Sequence, residues 1–226
     1  MRYKYFCSFL LIFGFIGYNA QVSDAVKKLA QPLDHISYAE SSHIGVGGEE
    51  SKIYNQFKKV AKIATNDELY YFAMNGSNAL KVYSGKELFK RKDKRFLDIY
   101  TFYSRNPLKM EYALGCTIDS KNIAEFLKDE VYSAPQYISL RNGLLKNNKQ
   151  DEIGKTQLKQ IKEMGYGKLT EEDVRLVKKD LEKIDQNHEE QHVLRSKDIG
   201  GRESGYGTGT SQLWHSSQVL HRQGKR

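Results

Sequence analysis

One five-residue segment carries side chains that could bind and activate a metal ion. Residues 188–192 read His-Glu-Glu-Gln-His, which matches the His-Glu-x-x-His zinc pattern of metalloproteases. On a helix, His188 and His192 share one face and both can ligate Zn²⁺, while Glu189 can act as general base toward a bound water. The segment therefore supports a zinc-dependent hydrolase as one hypothesis.

The surroundings of this segment argue against a catalytic centre. Arg195 stands where the extended zinc pattern has glycine, and Asp198 stands where it has a third histidine. The carboxylates that could complete the site, Asp198 and Glu203, belong to a segment without apolar periodicity, whereas a catalytic metal needs ligands held on rigid elements. We therefore favour a solvated helix end or an adventitious metal site. We predict no catalytic, cofactor-binding or metal-ligating residues.

Two further segments contain residues that could react or bind a ligand. Cys116 follows the largely apolar residues 110–115, a setting typical of a small core residue rather than a nucleophile. The glycine-rich residues 43–48 do not complete a dinucleotide fingerprint. Glu49 and Glu50 stand at the start of the predicted next helix, where carboxylates would repel a phosphate. This second segment is predicted to be a structural turn.

The amino terminus has the pattern of a secretion signal. Arg2 and Lys4 precede an apolar run at 6–17, and no acidic residue occurs before Asp24. That charge and length pattern is typical of a signal peptide, and the run is shorter than the roughly 20 residues that cross a bilayer. We expect cleavage after Ala20 and export to the periplasm or beyond, with no transmembrane segment in the mature chain. A retained anchor is the alternative.

Cysteine content and charge exclude other classes. Removal of residues 1–20 leaves Cys116 as the only cysteine, so a disulfide framework is excluded. The chain carries +8, of which +2 falls in residues 1–20 and +3 in residues 196–226. A nucleic-acid-binding domain usually has a basic face across its fold, and no nucleic-acid partner is expected. The basic cluster at 90–95 is predicted to be a solvated turn between helices, with contact to an anionic partner as the alternative.

The elements that must position any site are predicted to be helices. Ile53, Phe57, Val60 and Ala61 follow a helical spacing, and Pro135 is expected to end a later helix. None of the helical segments shows sustained alternation with a period of two. The predicted helices cover residues 24–29, 53–64, 69–73, 80–89, 96–102, 121–132 and 156–164, and a further helix that opens at Thr170.

Residues 78–88 carry a family resemblance. An aliphatic–basic pair at 80–81, small residues at 84–85 and Leu88 follow a polar turn, and this pattern resembles the second helix of a HEAT repeat. Residues 41–132 are similar to small secreted HEAT-like proteins of flavobacteria-like organisms. The resemblance implies antiparallel helix pairs that stack on one another, an interaction scaffold, and no catalytic residues.

These observations predict an all-α protein with HEAT-like antiparallel helix pairs, a C-terminal helical extension and a disordered tail. Its expected function is that of an exported, non-enzymatic scaffold that binds another macromolecule, either a protein or a cell-envelope component. The alternatives are the zinc-dependent hydrolase and a protein whose basic tail contacts an anionic envelope surface. The predicted divisions are a signal peptide at 1–20, a lead-in at 21–48, the HEAT-like core at 49–132, the extension at 133–195 and the glycine-rich basic tail at 196–226.

Overall fold

The computed structural model of the protein describes the backbone of residues 22–146 and 151–200, and the side chains as far as residue 190. The predicted signal peptide and residues 201–226 of the predicted tail lie outside these residues. The described chain up to His188 belongs to one compact unit, and a second unit begins at Glu189. Every contact described below lies within the first unit.

The predicted lead-in contains a helix and the first strand of a small hairpin, whose second strand lies just beyond residue 48. Helix α1 (Asp24–Ala30) ends in a 3₁₀ turn that contains Pro32, as its spacing predicts. Strands β1 (Ala39–Ile44) and β2 (Glu49–Glu50) pair antiparallel. The glycine-rich turn between them needs positive φ at two of its glycines. Glu49 and Glu50 thus form a strand, and the expectation that they open a helix is wrong.

Four helices follow, and each of the first three begins at a hydroxyl side chain. Ser51, Thr65 and Ser77 accept a hydrogen bond from the backbone of the first helical turn, as N-cap residues do. The helices are α2 (Lys52–Ile63), α3 (Asn66–Asn75), α4 (Asn78–Lys90) and α5 (Arg95–Arg105). The helical spacing of the sequence predicts all four correctly.

The strands make the fold α/β, and the all-α prediction is wrong. Strands β3 (Lys109–Gly115) and β4 (Thr117–Asn122) complete a sheet with the order β2-β1-β3-β4. Strand β1 pairs parallel with β3, and Ala39 of β1 lies opposite Tyr112 of β3. Helices α2 to α5 form the crossover connection between these two strands. The pairing joins residues far apart in sequence, so no local sequence pattern predicts it.

Helix α6 (Ile123–Lys146) contains Pro135, although proline was expected to end it. Proline removes one backbone hydrogen bond and costs about 3 kcal/mol inside a helix. Burial of Ile138 and Arg141 beyond the proline offsets that cost. Arg141 donates from Nη1 to the carbonyl oxygens of Tyr166 and Leu169, the latter at 2.8 Å. The helix therefore continues because its second half is held by the core.

The last described elements are helical. Helix α7 (Glu152–Ile161) runs into a π-helical turn (Lys162–Tyr166) that contains Gly165 at φ 96°. Helix α8 (Glu171–Gly200) begins after Thr170, whose hydroxyl accepts from the backbone N–H of Asp173 at 3.1 Å. The predicted start of this helix at Thr170 is confirmed, with Thr170 as its N-cap. None of the helices in the described ranges combines the length and the apolar character needed to cross a bilayer.

Candidate functional site

A cavity of about 580 Å³ lies between the sheet and helices α2, α4 and α6. We call it the α4–α6 pocket. Its volume lies within the roughly 300–1,000 Å³ of small-molecule sites. Aromatic rings form much of its lining: Tyr54 and Phe57 on α2, Tyr83 on α4, Tyr112 on β3, Phe126 and Tyr137 on α6, and Tyr166 in the π-helical turn.

Helical spacing brings the charged groups of the pocket together. On α4, Tyr83, Lys86 and Lys90 are three and four residues apart and therefore share one face. On α6, Phe126, Glu130, Ser133 and Tyr137 share a face in the same way. These two helices pack against each other, so the lysines of α4 meet the carboxylate of α6.

The floor of the pocket is a cluster of three charged side chains. Lys90 Nζ lies 2.8 Å from Glu130 Oε1, and Lys86 Nζ lies 3.3 Å from Glu130 Oε2. The Tyr166 hydroxyl donates to Glu130 Oε1. The side chains of the two lysines and the glutamate are only 12–13% exposed. Two positive charges therefore share one negative charge at a half-buried position, which leaves the cluster with an excess of one positive charge.

The cluster is ionised at neutral pH. Burial opposes the charged form of Glu130, but Lys90 and Lys86 outweigh it and lower the pKa of that carboxyl to about 2. Burial likewise opposes the charged lysines, but Tyr112 and Glu130 raise the pKa of Lys86, and Glu130 raises the pKa of Lys90. Protonated lysines have no free electron pair to attack a carbonyl, and an ionised carboxylate has no proton to give. Two protonated lysines beside one ionised carboxylate suit the cluster to holding an anion.

The aromatic side chains around the cluster are held in fixed positions. Lys86 Nζ lies 4.2 Å from the centroid of the Tyr112 ring, and Lys90 Nζ lies 4.9 Å from that of Tyr166. Tyr137 stacks on Tyr166 at 4.6 Å between ring centroids. Such contacts favour a lysine ammonium over the ring face. The rings therefore keep both ammonium groups at the floor of the pocket.

Tyr83 connects the pocket to the sheet. Its hydroxyl donates to the carbonyl oxygen of Glu40 and accepts from the Glu40 N–H, each at 2.7 Å. Its ring stacks on Phe57 with 5.0 Å between centroids. Burial raises the pKa of Tyr83, so the phenol stays neutral and serves as a fixed wall.

A second ion cluster lies at the sheet side of the pocket. Lys121 on β4 pairs with Asp119 at 2.7 Å and with Asp129 of α6 at 3.1 Å. These groups are 33–59% exposed, and exposed ion pairs contribute little to stability. One cation faces two carboxylates here, so this exposed cluster carries one net negative charge, whereas the floor carries one net positive charge.

None of the described residues of the predicted metal-binding pattern at 188–192 is among those that line this pocket. His188 on α8 is half-buried and Glu189 is exposed, while the side chain of His192 lies outside the described residues. No group of three or more His, Cys, Asp or Glu side chains within the described range could hold a metal ion. The zinc-dependent hydrolase stays a prediction.

Two residue-level predictions need correction. Cys116 is exposed and donates from Sγ to the carbonyl oxygen of Gly45 at 3.3 Å, so its assignment to the core is wrong. Cys116 is exposed because it lies in the turn between β3 and β4. In the basic cluster at 90–95, Lys90 pairs with Glu130 and Arg91 with Glu87. These cations are held inside the structure rather than simply solvated.

No protein-family model matches this chain, no curated protein is similar to it, and no solved structure resembles it. The resemblance to HEAT-like proteins therefore stays a prediction. We therefore infer the function from the geometry of the pocket.

Proposed function

We propose that this protein is a non-enzymatic binding protein that takes a small organic anion into the α4–α6 pocket. The observation that carries the proposal is the convergence of Lys86 and Lys90 on the single carboxylate of Glu130 at the floor of an open cavity. An uncompensated positive charge at a half-buried position is unfavourable unless an anion accompanies it. A ligand carboxylate would supply that anion.

The aromatic lining defines the rest of the ligand. The rings of Phe57, Tyr112, Phe126 and Tyr137 offer flat apolar surface above the charged floor. Such walls favour an apolar or aromatic body, with the polar floor setting its orientation. The proposed ligands are therefore small molecules that carry one negatively charged group on an apolar or aromatic body.

This proposal keeps export and a non-enzymatic role from the sequence-based hypothesis and changes the partner. A concave site of about 580 Å³ fits a small molecule better than the surface of a macromolecule. The ionised state of the floor supports binding over catalysis, since neither Lys90 nor Glu130 is poised to transfer a proton near neutral pH.

Calorimetric titration with benzoate, benzamide and benzylamine tests the proposal. We expect benzoate to bind, the neutral amide to bind weakly, and the amine not to bind. Lys86→Met should weaken benzoate by roughly tenfold or more, because a hydrogen bond to a charged group is worth about 1.5–3 kcal/mol. Lys81→Met, on the same helix but outside the pocket, is the matched control. Equal binding of benzoate and benzylamine, or no binding of benzoate, contradicts the proposal.

A further inference from the structure

A second basic site lies beside the pocket. A groove of about 730 Å³ is lined by four residues at the end of α4 and four around the π-helical turn: Glu87, Lys90, Arg91, Lys92, Lys162, Gly165, Gly167 and Lys168. We call it the basic groove. It shares Lys90 and Glu87 with the α4–α6 pocket, but the other cations that line it do not reach that pocket.

Most cations of the groove already have an acidic partner. Lys90 pairs with Glu130 at 2.8 Å and Lys92 with Asp173 at 2.6 Å. Arg91 pairs with Glu87 and donates further hydrogen bonds to the carbonyl oxygens of Ala61 and Ala64 at the end of α2 and to Asn66 at the start of α3. Arg91 and Lys92 therefore hold the fold together and bring no uncompensated charge to the groove, and Lys90 brings only its share of the single excess charge of the Glu130 cluster.

Two lysines differ from the rest. Lys162 and Lys168 are exposed and line the groove, and neither forms an ion pair with any carboxylate in the described part of the chain. The groove thus keeps two uncompensated positive charges on the two flanks of one short turn. Their number matches an anion of charge −2.

Glycines in the turn position the lysine side chains. A Cβ added to Gly165, at φ +96°, would lie 2.7 Å from Lys90 Cδ, and one added to Gly167 would lie 3.3 Å from Lys162 Cγ. The lysine methylenes therefore pack against bare backbone, in space that any other residue would fill. This packing limits the rotamers of Lys162, and a lysine restricted in this way loses less entropy when it binds an anion.

We infer that the basic groove binds a phosphate group, with Lys162 and Lys168 as its charged contacts. The inference does not depend on what occupies the α4–α6 pocket. The phosphate can belong to a free phosphorylated molecule or to a lipid headgroup that ends in a phosphomonoester, because both present the same doubly charged oxyanion.

Titration of the purified protein with inorganic pyrophosphate tests the inference. We expect saturable binding that weakens at least tenfold in Lys162→Met/Lys168→Met and persists in Lys162→Arg/Lys168→Arg. Lys27→Met/Lys28→Met removes two exposed cations on α1 and is the charge-matched control. Lys86→Met should reduce benzoate binding and leave pyrophosphate binding within threefold, which separates this inference from the proposed function.

Three results overturn the inference. They are an absence of saturable pyrophosphate binding, undiminished binding in the methionine double variant, and an equal loss in the α1 control. The cations of residues 196–226 remain in every variant, so binding through that segment would appear as the second result. Sedimentation with phosphatidylcholine vesicles that contain phosphatidic acid then identifies the source. Lysine-dependent capture indicates a lipid headgroup, and binding of pyrophosphate alone indicates a free phosphorylated molecule.

Discussion

Glu68 shows how single side chains set the acid stability of this fold. Its two carboxylate oxygens accept from the backbone N–H and hydroxyl of Ser23 and from the same groups of Thr65. Burial alone would raise the pKa of Glu68, but these hydrogen bonds outweigh burial and lower it from 4.5 to about 2. The ionised carboxylate thereby ties the start of α1 to the start of α3.

Glu68→Gln should destabilise the protein at neutral pH and much less in acid. A lowered folded-state pKa contributes stability that is complete above pH 4.5 and lost as the pH falls toward 2. The contribution is up to about 3 kcal/mol. Urea unfolding at pH 6.5 and pH 2.5 measures it, with Glu49→Gln on exposed β2 as control. An equal loss of unfolding free energy at both pH values contradicts this account.

The candidate site illustrates what the sequence could predict at the residue scale. The N-caps at Thr65 and Thr170 depend on local contacts and were predictable. Lys90 was interpreted as part of a solvated turn and Lys86 was not singled out, because their partner, Glu130, lies about 40 residues away in sequence. The available signal was a helical face that mixes aromatic with charged residues, at 83, 86 and 90 and again at 126, 130 and 137. Such a face suits a polar cavity better than a core or a solvated surface.

At the scale of elements, local spacing predicted the helices and missed the strands. Strand β3 buries only Met110 and Tyr112, too short a pattern to indicate a strand by itself. Strand β1 has the polar sequence AESSHI, and β4 is largely exposed. These strands form because backbone hydrogen bonds join distant segments. Tertiary contacts rather than local sequence therefore produce these strands, and tertiary contacts also allow α6 to continue through Pro135.

The packing of α4 against α6 predicts opposite effects of alanine substitution at two helical glycines. A Cβ on buried Gly85 of α4 would lie 2.7 Å from Leu127 Cδ2, whereas one on Gly143 of α6 would meet nothing within 4 Å. Alanine favours a helix over glycine by about 1 kcal/mol, but overpacking a core costs about 1–3 kcal/mol. Gly143→Ala should therefore raise the unfolding free energy, and Gly85→Ala should lower it.

A double-mutant cycle identifies the cause of the Gly85 effect. If the added methyl group collides with Leu127, Gly85→Ala should be less harmful in a Leu127→Ala background. Chemical denaturation of the four proteins gives the coupling energy, which we expect to exceed about 0.5 kcal/mol. Additive effects, or stabilisation by Gly85→Ala alone, would show that the two helices do not approach this closely.

At the scale of the whole molecule, the same charges stabilise the fold and form the site. Glu130 joins α4, α6 and the π-helical turn through Lys86, Lys90 and Tyr166. A cluster that served stability alone would be best with balanced charge, since an unpaired charge at a buried position is costly. Under the proposed function, the excess positive charge lowers the stability of the empty protein and favours the binding of an anion.

Glu130→Gln should separate these two roles. Loss of the carboxylate leaves both lysines without a counter-ion, so we expect the unfolding free energy to fall by about 3 kcal/mol. The same change raises the positive charge of the floor, so benzoate should bind severalfold more tightly. Asp129→Asn, the exposed neighbour on α6 that pairs with Lys121, should change both quantities little. Urea unfolding and calorimetric titration of both variants give the comparison. A stability loss accompanied by unchanged or weaker benzoate binding would mean that the cluster serves only the fold.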